Sequence, residues 1–180
     1  MACSVYGAQY LLQALYGAGE AEAALELMTA EHDRSWLHML NTLGSTITLE
    51  AWDPKYKKNL DWNHAWGAAP ANIIPHYLVG VRPPQPGCKK ILIKPQLGSL
   101  TFFDTRVPTV RSPVTVRSES RESFTLEVTI PGNTSAEVHL PASKLRRVLV
   151  VDGEATEPQV TGDSVVIHDV SPGRHTFELK

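Results

Sequence analysis

Arg82-Pro83-Pro84-Gln85-Pro86-Gly87 is the stretch that decides how this chain is read. Proline lacks a backbone N–H and fixes its own φ, so neither a helix nor a central strand runs through such a run. The segment reads as a stiff linker. Before it, Ala and Leu recur at helical spacing; after it, Val, Thr and Pro alternate with charges. The expected fold class is α+β and multidomain, with a helical part over residues 1–82 and a β part over 83–180.

Working back from the linker, Val5 to Tyr16 reads as a helix. Val5, Ala8, Leu12, Leu15 and Tyr16 fall near one stripe, but Tyr6, Tyr10 and Leu11 make it apolar almost all round, which calls for burial on most sides. Gly17-Ala18-Gly19 breaks it, and Glu20 to Ala30 is a second helix with acids in its first turn, where the helix dipole favours them. Ser35 to Leu43 is a third, capped by Asp33 or Ser35 and closed by Gly44. A last helix spans about Asn63 to Val79, kinked or interrupted by Pro70 and Pro75 and ended by Gly80. Such helices do not close a fold by themselves. The helical half is expected to be a sector of a larger ring of α-hairpins, with an apolar face around Tyr6, Tyr10 and Leu11 left uncovered.

Beyond the linker the period changes to two. Phe124, Leu126, Val128 and Ile130 alternate with polar residues, as do Ala136, Val138 and Leu140. Ile91–Ile93, Leu100–Val107, Val114–Val116, Arg147–Val151, Ser164–His168 and Arg174–Leu179 read as further strands. Pro131-Gly132-Asn133, Asp152-Gly153, Thr161-Gly162-Asp163 and Ser171-Pro172-Gly173 are turns. About eight short strands so spaced imply an antiparallel β-sandwich. His139, His168 and His175 are scattered and form no catalytic set.

The chemistry concentrates between Ser45 and His76. Trp52, Trp62 and Trp66 lie there with Glu50, Asp61 and the pair Asn63-His64. Indole faces stack on the C–H faces of a pyranose, and carboxylate, amide and imidazole groups bind its hydroxyls. A Trp-rich core loop is the bland alternative. Lys55, Lys57 and Lys58 on the same loop are cations within reach of Glu50, or simply a solvated face.

The bulk numbers narrow the field. The chain has 180 residues and a formal net charge of -2, with no clustered basic face, so neither nucleic acid nor a membrane surface is an expected partner. No apolar run approaches the ~20 residues of a membrane span. Met1-Ala2-Cys3-Ser4 has no basic residue of a signal peptide. Cys3 and Cys88 have no metal-type spacing, and no metal or cofactor is expected.

Thr46-Ile-Thr-Leu-Glu50-Ala-Trp52, Asn63-His64-Ala-Trp-Gly67, Leu78-Val-Gly80-Val and Lys90-Ile-Leu-Ile-Lys-Pro95-Gln occur in that order. In these motifs the chain resembles the C-terminal part of the bacterial α-L-rhamnosidases of glycoside hydrolase family 78. The resemblance implies the end of an (α/α)6 catalytic barrel followed by a C-terminal β-sandwich. It implies an inverting glycosidase acting on a rhamnose-containing carbohydrate, with Glu50 as the general base and His64 in contact with the sugar. Its general acid lies on an earlier motif absent from these residues, so the N-terminal portion of the same barrel is the implied partner, and the chain alone is expected to be inactive. Trp52 is a candidate stacking platform; the tryptophan that the family places directly before the loop glutamate is Leu49 here. Asn63 either caps the last helix or touches sugar, and Asp61 is placed to brace His64. A non-catalytic carbohydrate-binding or structural sandwich module is the alternative from another class. A helical-toroid lyase or phosphorylase is a third, but would need a different loop motif. The loop carboxylate separates a hydrolase from a binding module, which has no use for one there.

Overall fold

Ser4 starts the first helix. Its backbone is extended and its Oγ accepts the Gly7 N–H at 3.1 Å, satisfying one of the donors a helix start leaves open. In this computed structural model, which describes residues 1–146 and 148–180, helix α1 then runs Val5–Gly17. Helix α2, Ala21–Met28, follows a turn in which Gly19 takes φ +82°. Val5, Ala8, Leu12 and Tyr16 of α1 and Ala24, Leu25 and Met28 of α2 are buried. The other face of α1 is open: Tyr6 is 49% and Tyr10 57% exposed, as expected for the uncovered side of a ring sector.

Of the two caps expected for the third helical stretch, the structure uses Ser35, whose Oγ accepts the His38 N–H at 3.1 Å. That stretch widens into a π-type turn at His38–Thr42, and Gly44 closes it at φ +65°. The single helix expected from Asn63 to Val79 is a composite. It comprises a 3-10 turn at Ala65–Ala68, helix α3 at Ala69–Ile73 and a π-type turn at Ile74–Leu78. The prolines account for the breaks: Pro70 sits in the first turn of α3, where its missing N–H costs nothing, while Pro75 removes a donor further along. Helix α1 packs against both α2 and α3. No helix among the described residues is long and apolar enough to cross a membrane.

The chain divides into two compact units, Met1–Ile74 and Pro75–Lys180. In the second unit, the strands among the described residues are β1 (Val81–Arg82), β2 (Lys90–Ile93), β3 (Phe102–Val107), β4 (Val114–Ser120), β5 (Phe124–Ile130), β6 (Ser135–Pro141), β7 (Leu149–Val151), β8 (Glu154–Thr156), β9 (Val160–Thr161), β10 (Ser164–Val170) and β11 (Gly173–Leu179). One sheet has the order β1-β2-β6-β10-β9, the other β3-β4-β5-β11-β7-β8. The sandwich starts before the proline linker, not after it, because Val81 and Arg82 already pair with Ile93 and Leu92. Gly80 makes this possible. At φ +81° it turns the chain so close to the next strand that a Cβ would lie 1.9 Å from the Lys94 carbonyl oxygen.

Among the described residues all pairings are antiparallel except β2 with β6, which is parallel. The chain leaves β2, builds β3, β4 and β5 in the other sheet, and returns, the long crossover that parallel neighbours require. The alternation read from the sequence is realised: Phe124, Leu126, Val128, Ile130, Ala136, Val138 and Leu140 are buried, facing a core completed by Phe177 and Leu179. Asp152 and Gly153, with φ of 52° and 88°, form the tight hairpin turn between β7 and β8. The strand expected from Arg147 begins at Leu149, and Arg147 itself lies outside the described residues.

Candidate functional site

A short two-stranded clamp organises the loop of the first unit. The Glu50 N–H donates to the Asp61 carbonyl at 3.1 Å, and the His64 N–H to the Thr48 carbonyl at 3.0 Å. The Thr48 hydroxyl adds a bond to the His64 carbonyl at 3.1 Å. Residues 51–60 are thereby pinched into a closed loop, and Glu50 and His64 are brought to the same place from opposite ends of it. Gly67 seals the clamp. A Cβ there would lie 2.6 Å from the Leu49 carbonyl oxygen and 2.8 Å from the Thr48 Cβ, so only glycine permits this approach. The Gly67 carbonyl accepts the Trp36 indole N–H at 2.7 Å.

Trp36 meets Trp52 edge to face at a centroid distance of 5.0 Å, and the Trp52 indole N–H donates to the Cys3 carbonyl at 2.8 Å. Trp52 is only 4% exposed. Trp52, the candidate stacking platform, is thus a largely buried ring whose polar N–H is satisfied by a backbone carbonyl. It forms an inner wall of a cavity of about 450 Å³, together with Glu50, Lys57, Arg34, Trp66 and Tyr6.

Glu50 is set into that wall with 12% of its side chain exposed. Lys57 Nζ donates to Oε1, and the Asp61 N–H donates to Oε2 at 3.0 Å. These contacts, the Lys57 one first, hold the carboxyl below its ordinary pKa against the opposing effect of desolvation, with a smaller contribution from His64. The remaining loop lysine in the network is engaged elsewhere: Lys55 Nζ and the Tyr56 hydroxyl both donate to Asp33 Oδ2 at 2.6 Å. The Arg34 guanidinium lies 4.5 Å from the Tyr56 ring centroid. Asp53 accepts the Lys55 N–H at 2.8 Å and stands 2.7 Å from His38 Nε2. Both ends of the Asp53–Tyr56 turn are thus anchored before Lys57 is reached.

His64 lies flat on Trp66, with ring centroids 3.8 Å apart and planes 17° from parallel. Its Nδ1 is buried and has no hydrogen-bond partner among the described residues. His64 reaches the cavity only through the ring it stacks on, Trp66, which lines it, and the buried nitrogen is an uncompensated polar group. His64 also supplies the extended residue at the entry of the Ala65–Ala68 turn, the place considered for Asn63. Asn63 is exposed, as is Asp61, whose backbone rather than its carboxylate serves the site through Glu50. Trp66, one of the three tryptophans noted between Ser45 and His76, and Tyr6, placed on the uncovered apolar face of the first helix, carry no individual site role in the sequence reading. Trp66 is 40% exposed and its ring stands 5.1 Å from that of Tyr6, 49% exposed. The position of Trp66 two residues after His64 was a legible signal; nothing local to Tyr6 announced it. Among the described residues no group of His, Cys, Asp and Glu is arranged to hold a metal ion.

Helical hairpins with an aromatic-walled cavity and a paired carboxylate, followed by a β-sandwich, define the class of two-part fold to which the chain belongs. Residues 1–78 match the bacterial alpha-L-rhamnosidase 6 hairpin glycosidase domain, and residues 80–154 match the bacterial alpha-L-rhamnosidase C-terminal domain. The chain belongs to the bacterial α-L-rhamnosidase family, and its helical part is a sector of that family's helical barrel. It is 31% identical over 150 residues to an α-L-rhamnosidase of Alteromonas sp. (strain LOR), covering 76% of this chain and 16% of that curated relative's length. Its fold matches the α-L-rhamnosidase structure from Dictyoglumus thermophilum with a TM-score of 0.87 at 22% identity, over 98% of this chain and 21% of that one. The Streptomyces avermitilis α-L-rhamnosidase complexed with L-rhamnose matches at a TM-score of 0.82 and 23% identity, over 97% of this chain and 17% of that one.

Proposed function

We propose that this chain supplies the water-activating half of an inverting glycoside hydrolase that releases terminal α-L-rhamnose from glycosides or polysaccharides. The observation that carries the reading is Glu50: a carboxylate held ionised by Lys57 and the Asp61 N–H in the wall of an aromatic-lined cavity. Inversion needs two carboxyls on opposite faces of the sugar, roughly 6.5–9.5 Å apart, one protonating the departing oxygen and the other taking a proton from water. A base has to be ionised before it can accept that proton, and the contacts on Glu50 favour that state. The acid is assigned to the other hairpins of the barrel, which this chain, spanning 16% of its curated relative, does not include. His64 is assigned to a rhamnose hydroxyl through its unpartnered Nδ1. Asn63 is assigned to the rim, Trp52 to the inner wall and Asp61 to the support of Glu50.

The test is Glu50→Gln in a barrel that carries this chain. Loss of general-base help should lower kcat by ~10²–10⁴-fold with little change in KM. Azide should restore part of the rate and give a β-configured rhamnosyl azide by direct inversion. An α-configured product would mean a covalent intermediate, and an unchanged kcat would remove Glu50 from the mechanism. The 180-residue chain by itself should not turn over an aryl α-L-rhamnoside.

A further inference from the structure

We infer that Lys57 is the positioning residue that holds Glu50 charged and aimed, an inference that rests on the reading of Glu50 as the base. Three groups act on that carboxylate, and they differ in kind. The Asp61 N–H orients Oε2 and is itself fixed by the reciprocal bond from the Glu50 N–H to the Asp61 carbonyl, but it brings no net charge. His64 acts through space, its ring committed to the stack on Trp66. Lys57 is the full cation in direct contact with an oxygen, Oε1.

The loop delivers Lys57 by construction. Asp53, Lys55 and Tyr56 are tied to His38 and Asp33. The Tyr56 and Lys57 N–H groups then donate to the Asp53 and Pro54 carbonyls at 3.0 and 3.3 Å, closing the turn that ends at Lys57. On the far side Leu60 is buried, so the loop is anchored at both flanks. Lys55 is spent on Asp33, and the other cation on the cavity wall, Arg34, lies over Tyr56. Of these cations, the fold presents Lys57 to Glu50. The consequence is a trade. A carboxylate stabilised by a lysine stays ionised in more acidic solution but is a weaker base, so Lys57 broadens the acid side of the working range and lowers the driving force for proton transfer. With both oxygens bonded, it also fixes which lone pairs face the cavity.

The test is a carbon-13 NMR titration of the Glu50 carboxyl in the 180-residue chain, comparing the wild type with Lys57→Met, Lys57→Arg and Lys55→Met. Lys57→Met should raise the Glu50 midpoint by about one pH unit, the low end for an opposite charge in contact because Lys57 is half exposed. Lys57→Arg should restore most of the shift, and Lys55→Met should leave the midpoint where it was. An unmoved midpoint in Lys57→Met, or an equal rise in Lys55→Met, overturns the inference. If Lys57→Met disturbs the fold, Lys57→Gln decides: the same rise of the Glu50 midpoint is expected, and an unmoved midpoint overturns the inference. These readouts do not depend on turnover. An unchanged kcat in Glu50→Gln together with the expected shift would therefore remove the base reading and leave the hold of Lys57 on Glu50 standing.

Discussion

Two glutamates, one in each compact unit, are surrounded by similar partners and differ in what lies beyond them. Glu137 sits mid-strand on β6, on the side of the sheet opposite the buried Ala136 and Val138. Its oxygens meet His139 Nε2 at 2.8 Å, His168 Nδ1 at 3.1 Å and Lys90 Nζ at 3.2 Å, and its carboxyl is held down to about 2. Glu50 has a lysine, a backbone N–H and a nearby histidine, and its carboxyl is also lowered. A depressed carboxyl pKa therefore does not single out a site in this molecule. Glu50 differs in facing a cavity whose walls carry half-exposed rings and whose neighbour His64 keeps an unsatisfied nitrogen. Glu137 closes its own network and leaves nothing to bind.

The same contrast runs through the packing. In the sandwich the large apolar side chains of β5, β6 and β11 find each other across the two sheets. In the helical unit Tyr6, Tyr10, Trp62 and Trp66 stay open. If the sandwich is the self-sufficient part, its core should carry a full penalty when emptied. Phe177 is completely buried between neighbours on β5 and β7, and Phe177→Ala should cost ~3–5 kcal/mol by chemical denaturation. A loss below 1 kcal/mol would mean that the sandwich core relaxes freely, and the contrast would fail. A smaller effect is expected at Gly67, where the helical unit is tight. Gly67→Ala drives a methyl into the Leu49 carbonyl, a backbone group that has little room to give, and should cost ~1–3 kcal/mol. Trp36 fluorescence should report the shift, since its indole N–H is bonded to the Gly67 carbonyl. An unperturbed Gly67→Ala chain would show that the clamp around Glu50 and His64 is looser than its geometry implies.

How much of this was legible depends on whether the deciding interaction is local. Period-two alternation in β5 and β6 and turn chemistry at Asp152-Gly153 fix those strands from neighbouring residues, and they were read correctly. So were α1, α2 and the stop at Gly44. The parallel pairing of β2 with β6 was not, because it joins Lys90 to Ser135 across three intervening strands of the other sheet. Strands β8 and β9 are exposed, and so carry no burial pattern for the sequence to show. At the site, the motif spacing brought Glu50 and His64 into one short stretch, and the clamp joins them. The depth of Trp52 was hidden, since it depends on a bond to Cys3, 49 residues away. Tyr6 reaches the cavity from α1 for the same reason, and its exposure was legible only as an uncovered apolar face.

The smallest predicted effect tests the claim that Glu137 is structural. Its folded-state pKa of about 2 lies below the ordinary value of 4.5, chiefly through the His139 hydrogen bond, with Lys90 and His168 adding to it. A carboxyl depressed in the folded state stabilises the fold fully above the unfolded value, because there the unfolded chain carries the same charge without the partners. That contribution fades as the pH drops from about 4.5 and is gone below about 2, where both states are protonated. Glu137 is 27% exposed, and solvent screens part of the interaction, so its worth at neutral pH is roughly 1 kcal/mol rather than the full value the shift would imply. Glu137→Gln should therefore unfold more easily than the wild type at pH 7, by that amount, and the two stability curves should converge as the pH falls towards 2. Urea denaturation at pH 7, 4.5, 3 and 2 would draw both curves. Parallel curves would mean that the cluster of Lys90, His139 and His168 holds Glu137 no better than water does. The two glutamates would then differ in their partners as well as their surroundings, and Glu50 would be the one carboxylate of the pair on which the fold has imposed a charge.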